Sequence, residues 1–275
     1  MVGTALAAIL GGAAVAQSGQ TGGPQLVTTP QTAYHQSLSD TDAAYLSTAL
    51  TVARAGDGAR ARLSMDAIQD PVAKKIALWA LADGAPDSLS FFEADSVRRD
   101  LNGWPRGAKR QATAEKLIET SGLSPERIIA WCGGAEPTTV QGAMALAGAL
   151  RASGRTDEAR ALIRHWWRDM TFDLAPQTAM RARFGAYLTA EDHLRRADVL
   201  LYGQQGPAAR DMVASLPEDY RPIADARIAL RSNSATGNDL IANMTPSQRQ
   251  DPGLIYEHAA YFQRRGQTGM ALQLA

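Results

Sequence analysis

Ala159-Arg160-Ala161-Leu162-Ile163-Arg164-His165-Trp166-Trp167-Arg168-Asp169-Met170 decides the fold class. Ala159, Leu162, Ile163, Trp166 and Met170 recur at i, i+3, i+4, i+7 and i+11, which is one face of an α-helix. Arg160, Arg164 and Arg168 take the other face. The same helical spacing continues from about Asp40 to the last residue. No stretch alternates with period two, so the reading is all-α. Helix stops are expected at Gly56, Gly84, Gly122, Gly154, Gly203 and Gly266, and Ser124-Pro125 is a cap with proline at the first helical position.

Four of these stops share one pattern, a glycine followed five positions later by an alanine that opens the next helix. They are Gly56 with Ala61, Gly154 with Ala159, Gly203 with Ala208, and Gly266 with Ala271. This is the turn of an antiparallel helix pair and resembles that of tetratricopeptide (TPR) repeats. The spacing between the glycines is uneven. The expected architecture is therefore an irregular superhelix, a TPR-like solenoid of helix hairpins, rather than a regular array. Gly142, Ala145, Gly148 and Ala149 put a small-residue face on one helix, which favours close helix approach.

The chain has 275 residues, 45% hydrophobic and 20% charged, with a formal net charge of zero. That composition supports a sizeable core. It removes the basic excess on which phosphate binding depends, so no nucleic-acid partner is expected. Ala5–Leu10 followed by Ala14-Val15-Ala16 reads as a signal peptide over residues 1–16, although no Lys or Arg precedes Arg54. Residues 17–39, rich in Gly, Thr, Pro and Gln, read as a flexible lead-in, and 40–275 as the helical domain. No later segment is long and apolar enough to span a bilayer.

Chemistry is sparse. The one cysteine, Cys132, beside Trp131, is expected to be a small core residue. His35, His165, His193 and His258 are scattered without metal-ligand spacing. The acid pairs Glu191-Asp192 and Glu218-Asp219 sit near helix starts, where negative charge favours the helix dipole. In the helix opened by Thr189, Glu191 is placed to reach Arg195 and Asp192 to reach Arg196, with Ala190, Leu194, Ala197 and Leu201 as the buried stripe. His193 is expected to pack and bond to a neighbouring helix. Arg227, between Ile223 and Leu230, is expected to be buried and paired with a carboxylate of another helix. Trp104, Trp131, Trp166 and Trp167 are expected in helix contacts rather than as sugar platforms. No catalytic, cofactor-binding or metal-ligating residue is assigned.

The string from Phe184-Gly185-Ala186-Tyr187-Leu188 through Thr189-Ala190-Glu191-Asp192-His193 to Leu201 resembles a signature of the soluble lytic murein transglycosylases. Further similar strings follow the family's order: Trp104-Pro105 with Ala114-Glu115, Glu136-Pro137-Thr138 with Gly142, the Ala159–Trp167 segment, Ala226–Leu230, and Asp251-Pro252-Gly253-Leu254 with Glu257. The resemblance implies the family's N-terminal helical superhelix, U-shaped or ring-like, in an exported periplasmic protein whose partner is the glycan strands of peptidoglycan. In the family, a lysozyme-like domain at the C-terminal end carries one glutamate, usually followed by serine. That glutamate cleaves the MurNAc–GlcNAc bond to leave a 1,6-anhydro ring. This sequence contains no Glu-Ser pair, and the expectation is that the catalytic domain lies beyond residue 275. Cell-wall proteins are a further class of expected partner. The alternative is a stand-alone TPR-like scaffold that binds a peptide or protein.

Overall fold

A computed structural model describes residues 37–274. The signal peptide read at 1–16 and all but the last three residues of the lead-in at 17–39 lie outside the described residues. Sixteen α-helices and no strand occur among those described. They are α1 (Asp40–Arg54), α2 (Gly58–Ala67), α3 (Pro71–Gly84), α4 (Phe91–Asp100), α5 (Gly107–Leu117), α6 (Pro125–Cys132), α7 (Val140–Ala152) and α8 (Thr156–Asp169). Then follow α9 (Leu174–Phe184), α10 (Ala190–Tyr202), α11 (Pro207–Met212), α12 (Arg221–Arg231), α13 (Thr236–Ala242), α14 (Pro246–Arg249), α15 (Pro252–Arg264) and α16 (Thr268–Leu272).

The helix starts are set by short polar side chains. Ser39, Asp57, Asp70, Ser90, Ser124, Thr139, Thr189, Thr245 and Asp251 each accept a hydrogen bond from the first turn of the helix that follows. Such a cap contributes about 1 kcal/mol by satisfying an otherwise orphan N–H. Pro125 follows Ser124 at the first position of α6, as the sequence leads one to expect.

Three of the four glycine–alanine turns close alike. Gly56, Gly154 and Gly266 have φ between 71° and 80°, the left-handed region. The next amide reaches back five residues, from Asp57 to Val52, from Arg155 to Leu150 and from Gln267 to Phe262, at 2.8–2.9 Å. Asn233 makes the same turn after α12 with φ 59°, its neighbour Ser234 donating to Ala229. Gly203 departs from the set. Its φ is −81°, and its amide bonds Val199 instead. A looser Gly203–Gly206 connection results. Ala61, Ala159 and Ala208 are buried where their helices meet the preceding arm, and Ala271 is half-buried.

Neighbouring helices in the chain pack in pairs, and α1 with α3, α8 with α10, and α12 with α15 add the next layer of contacts. The largest core cluster joins α7 to α12 around Ile163, Trp166, Trp167, Met180, Phe184, Leu201 and Met212. Helix α7 is buried almost all round, at Val140, Gly142, Ala143, Met144, Ala145, Ala147, Ala149 and Leu150. A helix with that pattern sits inside the protein and cannot be a surface layer. On α8, Ala159, Ile163, Trp166 and Trp167 are buried, while Leu162 is half-buried and Met170 falls just past the helix. No described helix is long and apolar enough to cross a membrane.

Candidate functional site

The α10 start at Thr189 forms as a capping box. Thr189 accepts from the Asp192 amide, and the Asp192 carboxylate takes the Thr189 amide at 2.7 Å and its hydroxyl at 2.8 Å. The pairing within the helix does not form. Asp192 is fully buried and binds Arg164 and Arg168 of α8, with Arg164 Nε 3.1 Å away. Glu191 approaches Arg168 at 3.9 Å, and Arg195 reaches Asp169 at 3.6 Å. Ala190, expected in the apolar stripe, is exposed; Asp192 and Arg196 join Ala197, Leu200 and Leu201 on the buried side. The expected i,i+4 pairs Glu191–Arg195 and Asp192–Arg196 are not made, because each acid and each base finds its partner outside α10. Burial pushes the Asp192 carboxyl up, but the Thr189 amide and hydroxyl with Arg168 and Arg164 outweigh it and hold the group below its ordinary value.

Arg196 ties three segments. Its Nε donates to Gln177 Oε1 of α9 at 2.7 Å, and Nη1 donates to the carbonyls of Trp167 and Met170 at 3.1 and 3.0 Å. The guanidinium lies over the Phe172 ring at 3.8 Å and the Trp167 ring at 4.8 Å. Burial lowers its pKa to about 10, which leaves it charged at neutral pH. Gln177 then passes its amide on to the Ala208 carbonyl and Asp211 of α11.

His193 packs its ring edge against Trp167 of α8, with centroids 5.5 Å apart, but its Nδ1 is buried without a hydrogen-bond partner. Packing is as expected and the bond to a neighbour at that nitrogen is not made. Burial, reinforced by Arg181 and opposed by Asp192, holds its imidazole below the usual histidine range. Glu218-Asp219 lie in the turn just before α12, where Asp219 supplies a carbonyl to Gln248.

Arg227 is 1% exposed and donates to Asp198 of α10 at 2.7 Å, as its place in the sequence requires. It also donates to the Tyr220 hydroxyl at 3.1 Å and lies over the Tyr202 ring. Glu257 of α15 is buried and accepts from Arg231 of α12 at 2.8 Å and from Arg264 at 3.0 Å.

Cys132 and His165 line one groove of about 390 Å³, with Glu136, Arg155 and Glu158. Cys132 is half-buried and not in the core proper. Burial, with Glu115 adding to it, pushes its thiol up to about 11, so it is not a thiolate nucleophile. His165 lies between Glu136 and Asp169, 3.1 Å from each. Trp166 and Trp167 are buried, whereas Trp104 and Trp131 are half-buried against the α1–α5 core. Trp131 donates its indole N–H to Asp95 of α4 at 2.8 Å. His258 faces Asn238, 2.9 Å away. Among the described residues no three His, Cys, Asp or Glu side chains converge as for a metal ion.

Nothing in the local sequence marks Glu115 of α5 as a chemical group. It is 1% exposed and accepts both the amides and the hydroxyls of Thr138 and Thr139, at 2.7–3.1 Å, and the Gln111 amide at 2.9 Å. It thereby supplies the negative charge at the N-terminus of the buried helix α7. Asp42 does the same for α3, accepting from the Gln69 and Asp70 amides. The Thr138-Thr139 pair before an Ala/Gly-rich helix was the available signal.

No protein-family model, no curated protein and no solved structure matches this chain. The geometry itself gives these acids one common use. Asp42, Glu115, Asp192, Asp198 and Glu257 each tie one helix to another, with their oxygens engaged by amides, hydroxyls or guanidinium groups. A general acid must offer its proton to a bound substrate within hydrogen-bond reach. Buried, fully engaged carboxylates such as Asp192 and Glu115 do not.

Proposed function

We propose that this chain is the non-catalytic helical-hairpin scaffold of an exported peptidoglycan lytic transglycosylase, its hairpins stacked as an irregular, TPR-like superhelix. The observation that carries the reading is the commitment of the buried acids, Asp192 and Glu115 above all, to helix-to-helix ties. The ordered set of family-like strings supports the same reading, and so do the three matching glycine turns. In such an enzyme the glutamate of a separate lysozyme-like domain protonates the glycosidic oxygen. It then acts as base while the sugar's own 6-hydroxyl closes the anhydro ring. One carboxyl suffices because no water attacks. The scaffold holds that domain against the glycan strand.

Incubation with purified sacculi tests the proposal. The 275-residue chain sediments with sacculi and releases no 1,6-anhydromuropeptides. Release would place catalysis in this chain and overturn the scaffold reading. Absence of sedimentation, together with capture of a peptide ligand, would favour the stand-alone peptide-binding scaffold. Small-angle scattering tests the superhelix: a curved solenoid gives a larger radius of gyration than a globule of the same length.

A further inference from the structure

The turn between α4 and α5 carries a chemistry that none of the helix ties uses. Asn102 is followed there by Gly103, and both residues are exposed. Among the described residues the Asn102 side chain makes no hydrogen bond, and the Gly103 amide donates none. Gly103 has φ 81°, and no atom lies within 4 Å of where a Cβ would stand. A residue without a Cβ leaves its amide nitrogen open to the side chain before it. An uncommitted carboxamide therefore sits beside an uncommitted, unshielded amide nitrogen. The chain's other three asparagines are each held. The amide after Asn233 donates to the Ala229 carbonyl at 2.9 Å. Asn238 Oδ1 faces His258 Nε2 at 2.9 Å, and Asp239 lies within α13. Asn243 Nδ2 donates to the Asp239 carbonyl at 2.9 Å, and the amide after it donates to Ile241 at 3.1 Å.

We infer that Asn102 is a site of spontaneous deamidation and that its product loosens the packing beneath the turn. The Gly103 nitrogen attacks Asn102 Cγ. A C–N bond forms and the Cγ–Nδ2 bond breaks. Ammonia leaves, carrying the proton of the Gly103 amide, and a five-membered succinimide remains. Water then opens the ring at either carbonyl. One product is aspartate. The other is isoaspartate, in which the main chain runs through Cβ and is one carbon longer. Both exchange a neutral amide for a carboxylate. The added length matters because Arg110, 3% exposed, donates to the carbonyls of Leu101, Trp104 and Pro105 at 2.6–3.1 Å. Residues 102 and 103 lie between the first of these acceptors and the other two. Isoaspartate at 102 shifts the acceptors relative to one another, and a buried guanidinium that loses acceptors destabilises the fold. This reactivity is independent of the scaffold role proposed above.

Storage of the 275-residue chain in mildly alkaline buffer, followed by peptide mapping by mass spectrometry, tests the site. In the folded protein, conversion at Asn102 is expected to be about tenfold faster than at Asn233, Asn238 or Asn243. In urea, Asn102 should stay within about fivefold of its folded rate, whereas Asn233 and Asn243 should gain as their blocking bonds melt. An Asn102 that stays an amide in the folded protein while the denatured chain converts would overturn the site. The aged, more acidic fraction separated by ion exchange should melt about 2–4 °C below fresh protein. Asn102→Gln, whose longer side chain would have to close an unfavourable six-membered ring, should show neither the acidic fraction nor the lower melting temperature after equal storage. The Asn102 side chain is exposed and unbonded, so this variant is expected to fold as the original chain does. An aged fraction that melts with fresh protein would overturn the loosening around Arg110. An acidic fraction of equal size in Asn102→Gln would place the modification elsewhere and overturn the assignment.

Discussion

A Cβ atom placed on Gly142 would lie 2.7 Å from Glu115 Oε2 and 3.1 Å from Glu115 Cβ. Helix α7 therefore approaches α5 as closely as its lack of a side chain at that position allows. The carboxylate that fills the space is held by Thr138, Thr139 and Gln111, so it has nowhere to retreat.

Gly142→Ala gains about 1 kcal/mol of helix propensity but must displace that carboxylate. Overpacking of this kind costs about 1–3 kcal/mol, and the bonds lost with it add to the cost. The expected result is net destabilisation of about 1–2 kcal/mol in urea unfolding. Glu115→Gln, which keeps the shape and loses the charge at the α7 N-terminus, should also destabilise by about 1–2 kcal/mol. A neutral outcome in both would mean that Glu115 does not anchor the start of α7.

Acid should weaken the protein in two stages. The imidazole of His193 is held below its ordinary 6.5 by burial first and by Arg181 second. The unfolded chain then takes up the proton before the folded one, so this contribution is complete above about pH 6.5 and is lost as pH falls below it. The Asp192 carboxyl lies below its ordinary 3.8, where its hydrogen bonds and arginines overcome burial. Its contribution is present above about pH 3.8 and disappears as pH falls through the lower folded value. His193→Gln should flatten the stability curve just below about pH 6.5. Asp192→Asn should flatten it below about pH 4 and cost about 2 kcal/mol at neutral pH. Urea melts across pH 3 to 8 measure both.

The Asp198–Arg227 pair is asymmetric, with side-chain exposures of 44% and 1%. Removing the buried partner leaves a carboxylate that water can still reach. Removing the charge of the exposed partner leaves a buried guanidinium with neutral partners, the Tyr220 hydroxyl among them. Asp198→Asn should therefore cost more, about 3 kcal/mol, than Arg227→Met, about 1 kcal/mol. The reverse order in thermal melts would contradict the packing around Arg227.

At the helix ends, Gly154→Ala forces a Cβ into a left-handed turn and should cost about 1 kcal/mol. Asn233→Gly relieves a left-handed Asn and should gain about 0.5 kcal/mol. Calorimetry of the two variants should shift the melting temperature in opposite directions.

Cys132, with a thiol near 11, should react slowly with iodoacetamide at pH 8 and at a normal rate after unfolding. A fast reaction in the folded protein would reverse its assignment as an inert packing residue.

The all-helical class was legible because apolar spacing is local: the Ala159–Trp167 stripe and the glycine stops needed no knowledge of neighbours. Arg227 was legible for a related reason, since a charge on an otherwise apolar face demands a partner. Asp192 and Arg196 were not. An acid and a base at i,i+4 look the same whether the face points to water or to the core, and only α8 and α9 reveal which. Glu115 was hidden by its ordinary surroundings, because its ligands are backbone amides, which every sequence possesses.

Four of the ties between helices span similar distances along the chain: 27 residues from Asp42 to Gln69, 24 from Glu115 to Thr139, 29 from Asp198 to Arg227 and 26 from Arg231 to Glu257. These closures are short, so the segments they join can reach one another soon after they leave the ribosome, without waiting for distant sequence. A cut in one surface loop would likewise leave the segments on either side with most of their own fastenings intact.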